Sequence, residues 1–578
     1  MRKPVARIFL LASLSVSLAT SGAYAQKGKD PKGNKGGGTA QPVEIDDPPV
    51  NGPNKAADNS PPPTAGQMTE QAAQAKRLFD GEKWEDSALA LDRVRKGETG
   101  DDEGNKQLAQ FHLAIALYRM KFYQAAYAIF SEIADKPNHL KFNDTLLWLS
   151  KLATDLPEPA DIVERVGKYN NDQIAKFNNA NQRDLFWQLN YLLGRYKYRN
   201  RQYEDALTLF DKVNRQSKYY VQSQFFSGIS NVQLRKSVPA VKSFQLIVGA
   251  IDEGVEGVED ESRMRDLAFL SMARTYYSAS VRIDENSSPT IDAQKLSAAV
   301  KYWNKVDSGS EYWLDALFEE SWAYFMAGDY SHALGNIHTI QAPYFPNSYY
   351  PEAEVLRAVI YFANCQYDDA TTIVAQFQKK YQPIYDALNK VLARFKGENQ
   401  EEPFFKFLKQ VRDDQDKGTN NANLDPTIRP IVELALSDRQ LLRNLEYVKV
   451  LDEEAGRFKK AKVNFQESAL GADVKDALQL ARDLAVRNAG QLARDRYQRN
   501  LDELNEHLRN SAKILIDITA AQRNQLDATM AGAQVSAQES KANIVKADEE
   551  HVVWPFNGEY WRDELGFYRQ SITSKCGR

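Results

Sequence analysis

Between Leu185 and Val248 the chain carries one pattern twice. Gly194, Ala206, Phe210 and Val213 return as Gly228, Ala240, Phe244 and Ile247, each 34 residues later. The spacing predicts a helix, a tight turn and a second helix. Small residues sit where the two helices cross, and a large apolar residue fills the gap to the next pair. Such a pair cannot bury its apolar face alone and must stack on neighbours. At 578 residues the chain is also too long for one compact core. The expectation is therefore an elongated helical body.

The same positions appear elsewhere. Trp84, Ser87, Leu91 and Val94 mark a first unit, and Ala114, Tyr123, Ala126, Phe130 and Ile133 a second, ended by Pro137. Residues 144–169 have helical spacing but a poor match, so they read as a degenerate third unit. The two copies above are the fourth and fifth. Ala273, Tyr276, Ala299, Trp303 and Val306 mark a sixth, interrupted by RIDENSSPTIDAQK, which reads as a surface loop. Ala333, Ile337 and Ile340 give a seventh, and Ala358, Tyr361, Tyr367, Ala370 and Phe377 an eighth, with a capping helix expected over Tyr385–Phe395.

Residues 1–25 read as a signal peptide: Arg2, Lys3 and Arg7, an apolar run from Ile8 to Ala19, and Ala23-Tyr24-Ala25 before the cleavage point. The run is too short to span a bilayer, and no later segment reads as a membrane helix. No cysteine lies near the cleavage point, which argues against a lipid anchor. Losing three positive charges moves the formal net charge from −4 to −7, so nucleic acid is not an expected partner. Residues 26–66 are rich in Gly, Pro and charge and read as a disordered tether with a reach of roughly 35 Å. A Gly28…Gly33 spacing there lacks the lysine and the preceding strand of a phosphate loop.

Beyond the repeats (67–395), residues 396–430 read as a linker around one amphipathic piece, FFKFLKQV. Residues 431–546 carry coiled-coil spacing. Leu434, Leu441, Val448 and Ala455 recur every seven residues, then Leu501, Leu508 and Leu515 interleave with Leu504, Ser511 and Ile518. With a break near Gly471 and a second helix over about 473–519, this predicts an antiparallel hairpin or a dimer. Residues 547–578 form an aromatic tail. Pro555 and Asn557-Gly558 predict a turn, and a short helix is expected to align Trp561, Leu565, Tyr568 and Ile572.

For chemistry the sequence offers little. The six histidines are scattered, with no HExxH and no nucleophile elbow, so no catalytic, cofactor-binding or metal-binding residue is expected and the chain does not read as an enzyme. An enzyme hidden in 396–578 would need a polar cluster that is not there to be read. Cys365 reads as a small core residue, and the role of Cys576 is open between a bridge, a free thiol and none.

In its repeats, roughly residues 69–395, the chain resembles the tetratricopeptide-repeat superfamily. The resemblance implies an all-α solenoid, here followed by a long-helix coiled-coil hairpin and a short aromatic segment. It also implies a concave groove lined by the first helix of each pair. By alignment those positions fall on Tyr191, Arg195, Tyr198, Phe225, Phe318, Trp322, Phe325 and Phe362. The competing reading is that these rings only pack between helices. Trp554, Phe556, Tyr560 and Trp561 of the tail are further candidates for partner contact, against the reading of the tail as a cap. The signal peptide, tether, repeats and WPFNGEYWRDEL tail are together similar to periplasmic repeat proteins associated with bacterial gliding motility. That resemblance implies a periplasmic, non-enzymatic scaffold for other cell-envelope proteins, with a homo-oligomer through the coiled coil as an open option. The alternative is an adaptor for outer-membrane assembly or cell-wall enzymes.

Overall fold

The computed structural model describes residues 61–576, apart from 158–159, 259, 284–288, 347, 430, 433–437 and 531–544. The expected signal peptide and most of the tether lie outside the described residues. Eight helical units follow in order: α1 (Glu70–Asp80) with α2 (Trp84–Arg95), α3 (Glu103–Arg119) with α4 (Tyr123–Ala134), and α5 (Phe142–Asp155) with the short α6 (Ile162–Val166) and α7 (Asn171–Ala175). Then come α8 (Arg183–Arg199) with α9 (Tyr203–Phe210), α10 (Tyr220–Gln233) with α11 (Ser237–Asp252), and α12 (Glu261–Ser280) with α13 (Ala293–Trp303). The last two pairs are α14 (Trp313–Ala327) with α15 (Tyr330–Ile340) and α16 (Pro351–Ala363) with α17 (Tyr367–Ala393). The fold is all-α and of the tetratricopeptide-solenoid type.

The repeated residues explain the pairing. A Cβ on Gly194 would lie 2.5 Å from the Phe210 ring, and one on Gly228 2.4 Å from the Phe244 ring. Glycine is what lets each ring seat against the facing helix, and both phenylalanines are fully buried. The turns share a signature that the sequence reading did not use. In six pairs the residue two positions before the second helix is left-handed: Glu82, Lys121, Arg201, Arg235, Gly328 and Cys365, with φ between 55° and 76°. Only one of the six is glycine. Gly328 has open space where a Cβ would go, so Gly328→Ala changes the backbone preference alone and should cost about 1 kcal/mol. Lys121→Gly should shift a denaturation midpoint the opposite way. Equal midpoints for both variants would refute the argument.

Several expectations are corrected. The sixth-unit insertion is not a plain loop, because β1 (Val281–Ile283) and β2 (Pro289–Ile291) pair antiparallel, Val281 opposite Ile291. The expected capping helix is the end of the 27-residue α17, which continues through Pro383. The expected linker contains the 17-residue α18 (Glu401–Lys417), with Phe404, Phe405, Leu408 and Val411 buried. Its apolar residues fall at helical spacing and find a partner helix, which overrides the polar composition around them.

The heptad region forms α19 (Arg439–Phe458), a break with the short α20 (Val463–Gln466), and α21 (Ala469–Met530). At 62 residues α21 is about 93 Å long. It begins before Asp473 and runs past Thr519 into the Ala-, Gln- and Ser-rich stretch from Gln522, where the sequence allows a weak continuation. α19 and α21 pack together as an antiparallel hairpin, but the hairpin does not stand apart. α21 also packs on α4, α16, α17 and α18. Where α18 crosses it, a Cβ on Gly490 would lie 1.9 Å from the Glu401 carbonyl oxygen, so the helices meet backbone to backbone. Among the described residues of the tail, one 3-10 turn forms, Arg562–Glu564, instead of the expected amphipathic helix. Gly558 and Gly566 have φ of 101° and 89°, and the Gly566, Gln570 and Lys575 amides donate to the repeats instead of continuing a helix.

Candidate partner-binding surfaces

The hairpin runs along the solenoid from its first repeats to its last. At one end, Asp473 of α21 meets Lys96 at 3.1 Å, and Lys462 meets Asp86 at 3.0 Å. Phe465 stacks on Phe122 at 5.9 Å with rings 9° from parallel. Arg439, at the other end of α19, pairs with Glu311 at 2.9 Å, beside the sixth and seventh units. Leu504, Ile514 and Ile518 of α21 share one buried cluster with Trp322, Phe325 and Phe362. The chain's own helices thus lie against residues expected to line a groove.

Each candidate residue can be placed. Tyr191 is buried, stacked on Tyr219 at 5.2 Å, with its hydroxyl pushed above the ordinary tyrosine range by burial. Arg195 lies over the Tyr191 and Phe226 rings at 5.6 and 5.4 Å. Tyr198 packs on Tyr203 and Phe226, and Phe225 on Phe244. Phe318 meets Tyr350. Trp322, Phe325 and Phe362 are buried, in contact with Phe325, Tyr330 and Tyr367 respectively. In this conformation Tyr191, Trp322, Phe325 and Phe362 offer almost no surface to another molecule.

The residues that seat the hairpin were not found from sequence. The fully buried carboxylate of Glu454 accepts the backbone N–H of Gln124 at 3.0 Å, at the start of α4. Phe122, the residue before that helix, makes no side-chain cap of its own, so an acid 330 residues away satisfies an orphan donor and meets the positive end of the helix. Tyr447 donates to Gln124 Oε1 at 2.7 Å. Burial pushes the Glu454 carboxyl up to about 7. No spacing could have revealed this contact, because its partners belong to distant segments.

Where α16 faces α21, burial pushes Glu352 up to about 7, and Glu503 and Glu506 add like charge. Burial raises Glu503 as well. An acid whose folded pKa lies above its ordinary value is easier to ionise in the unfolded chain, so stability falls as pH rises from about 4.5 to 7. Glu352→Gln should be nearly neutral below pH 4.5 and stabilise by about 3 kcal/mol above pH 7. Melting both proteins across that range tests it, and a pH-independent difference would refute the assignment.

The aromatic tail lies across α15 and the turn between α16 and α17. Tyr560 stacks on His338 at 4.6 Å, and Phe556 and Tyr568 meet the same imidazole edge-on at 4.5 and 5.2 Å. Trp554 stacks on Trp561 at 4.5 Å. Of the four tail candidates, Trp561 and Phe556 remain 42% and 48% exposed, while Trp554 and Tyr560 are half-buried. Phe567, not among the candidates, is 74% exposed. Cys365 is not a core residue. It is the left-handed residue of the eighth turn, half-exposed and joined to Cys576 by a disulfide across 211 residues.

Among the described residues, no group of three or more His, Cys, Asp or Glu side chains could hold a metal ion, and no helix is long and apolar enough to cross a membrane. No family model matches the chain, and no curated protein matches it. Solved structures give distant likenesses. The apo form of RapI is 11% identical, with a TM-score of 0.29, covering 68% of this chain and 99% of RapI. A Rap protein complexed with competence and sporulation factor is 12% identical, with a TM-score of 0.23, over 71% and 98% of the two chains. The P58(IPK) TPR domain is 12% identical, with a TM-score of 0.17, over 72% and 97%.

Proposed function

We propose that this protein is an exported, non-enzymatic scaffold that binds other cell-envelope proteins and serves a gliding-motility machine. The observation that carries the scaffold reading is the solenoid itself, which stacks helix pairs into a long frame and presents the rings of its tail on the outside. With the hairpin against the expected groove residues, the exposed contact surface is the tail, with Phe567, Phe556 and Trp561 its most exposed rings. Exposed aromatic side chains held in place are favourable anchors for a protein partner. The Cys365–Cys576 disulfide supports export, since such bonds persist in oxidising compartments. The motility assignment rests on the resemblance of the WPFNGEYWRDEL segment.

The test is co-purification of the tagged protein from cross-linked cell envelopes, with and without residues 554–572. Recovery of motility subunits that disappears with the deletion is the expected result. Recovery of outer-membrane assembly factors or cell-wall enzymes would overturn the motility assignment in favour of an adaptor. An unchanged partner set after the deletion would remove the tail as the docking element.

A further inference from the structure

The tail is tied down in an unusual way. From residue 545 to 576 only Tyr568 and Ile572 are buried. The rest of the attachment is the partly exposed ring contact on His338 and a set of hydrogen bonds, most of them through the backbone. The Gly566 amide donates to Thr339 Oγ1 at 3.1 Å, Gln570 to the Ser331 carbonyl at 3.1 Å, and Lys575 to the Asn364 carbonyl at 2.9 Å. Gln366 donates to the Thr573 carbonyl at 2.6 Å, and Gln570 Nε2 to the Tyr361 hydroxyl at 2.8 Å. Tyr344 donates to the Tyr560 carbonyl at 2.9 Å. The Tyr568 backbone passes so close to α15 that a Cβ on Gly335 would lie 1.7 Å from its carbonyl oxygen. The segment is a strap laid on a finished surface. Ala333, Ile337 and Ile340 of α15 are buried towards the repeats, while Gly335, His338 and Thr339 meet the strap.

We infer that residues 545–576 form a detachable strap, and that a dithiol reductant acting on Cys365–Cys576 frees it while the repeats beneath stay folded. Hydrogen bonds of this kind give modest net stability, because water replaces them when they break. Two buried side chains are a small apolar anchor, and segments with few buried contacts open at low free energy. The disulfide holds the far end of the strap beside its site, so every opening is followed by reclosure. Both sulfurs belong to half-exposed residues at a surface turn, within reach of an external thiol. One thiolate of the reductant attacks either sulfur, the S–S bond breaks, and the departing cysteine takes a proton. The second reductant thiol then closes on the mixed disulfide, leaving two cysteine thiols and an oxidised reductant, a transfer of two electrons. The rings of Trp554, Phe556, Tyr560 and Trp561 leave the solenoid together, and the His338 face of α15 is uncovered.

This inference does not depend on the scaffold reading, because it can be measured without a partner. Hydrogen exchange on the full chain is followed with and without dithiothreitol. Reduction should raise exchange at the Gly566, Gln570 and Lys575 amides by about 30-fold or more, the equivalent of a 2 kcal/mol tether, with α15 and α17 unchanged. Cys576→Ser should give the same pattern without reductant. Gly335→Val, which blocks the Tyr568 crossing, should free the Gly566 and Gln570 amides with the disulfide intact. Retained protection in the reduced chain would overturn the inference, since the strap would then hold without its link. Loss of protection in α15 and α17 together with the strap would also overturn it, by making the strap part of the repeat core.

Discussion

Phe210→Ala is expected to cost about 3–5 kcal/mol, the range for emptying a fully buried aromatic site. Phe210 has no exposed surface, and its ring lies where a Cβ on Gly194 would come within 2.5 Å. It also stacks near Phe226 of the next pair, with centroids 5.8 Å apart. The cavity therefore opens both within a pair and between pairs. In a stacked array stability is close to a sum of repeat and interface contributions, so the loss should appear as early unfolding of the fourth and fifth units. Urea titration followed by hydrogen exchange would show this. Phe244→Ala, the equivalent change one repeat later, should cost a similar amount. Gly194→Ala should destabilise the parent by about 1–3 kcal/mol through overpacking but be tolerated in the Phe210→Ala background, where its methyl enters the vacated space. Additive effects of the two changes would show that the ring and the glycine do not share one site.

The repeats were legible because each residue repeats a local instruction. The small residue and the facing ring lie a few turns apart in sequence, so a 34-residue spacing exposes both. The left-handed turn residues were not legible. Lys121, Arg201 and Cys365 each precede the next helix by two positions, but no glycine marks them, and conformation at an ordinary residue leaves no trace in composition. The hairpin was readable as two helices and unreadable in its placement. Its heptad residues Leu504, Ser511 and Ile518 are buried, yet the same spacing serves a second chain or a solenoid equally well. What decides is Glu454 reaching Gln124 and Asp473 reaching Lys96, contacts across more than 300 residues. The tail misled for a different reason. Trp561, Leu565, Tyr568 and Ile572 have helical spacing, but the backbone found hydrogen-bond partners on α15 and the turn after α16, and local periodicity gave way to them. Cys365 and Cys576 could not be paired on paper because the fold alone brings their ends together.

The second large effect is expected at a buried charge pair. Arg274 of α12 and Glu319 of α14 are both nearly inaccessible, joined by Nη2–Oε1 at 2.6 Å and Nε–Oε1 at 2.9 Å. Trp303 of α13 donates to the other carboxylate oxygen at 3.1 Å. The pair thus ties three successive helices of the sixth and seventh units. Two desolvated charges add little net stability compared with apolar residues of equal volume, but removing one strands the other. Arg274→Met should therefore cost about 3–5 kcal/mol near pH 8. Asp315, which accepts from Tyr350 at 2.7 Å, adds a neighbouring carboxylate and makes the stranded charge worse. Without its arginine, Glu319 has a folded pKa above its ordinary value, so the penalty grows as pH rises from about 4.5. The variant should accordingly lose less stability at pH 5 than at pH 8. Adding Glu319→Gln removes the charge and keeps an oxygen for Trp303, and the double variant should return to within about 1–2 kcal/mol of the parent at both pH values. A double variant as unstable as Arg274→Met alone would mean that the arginine acts by filling space, and the pH dependence of the single variant would then vanish as well.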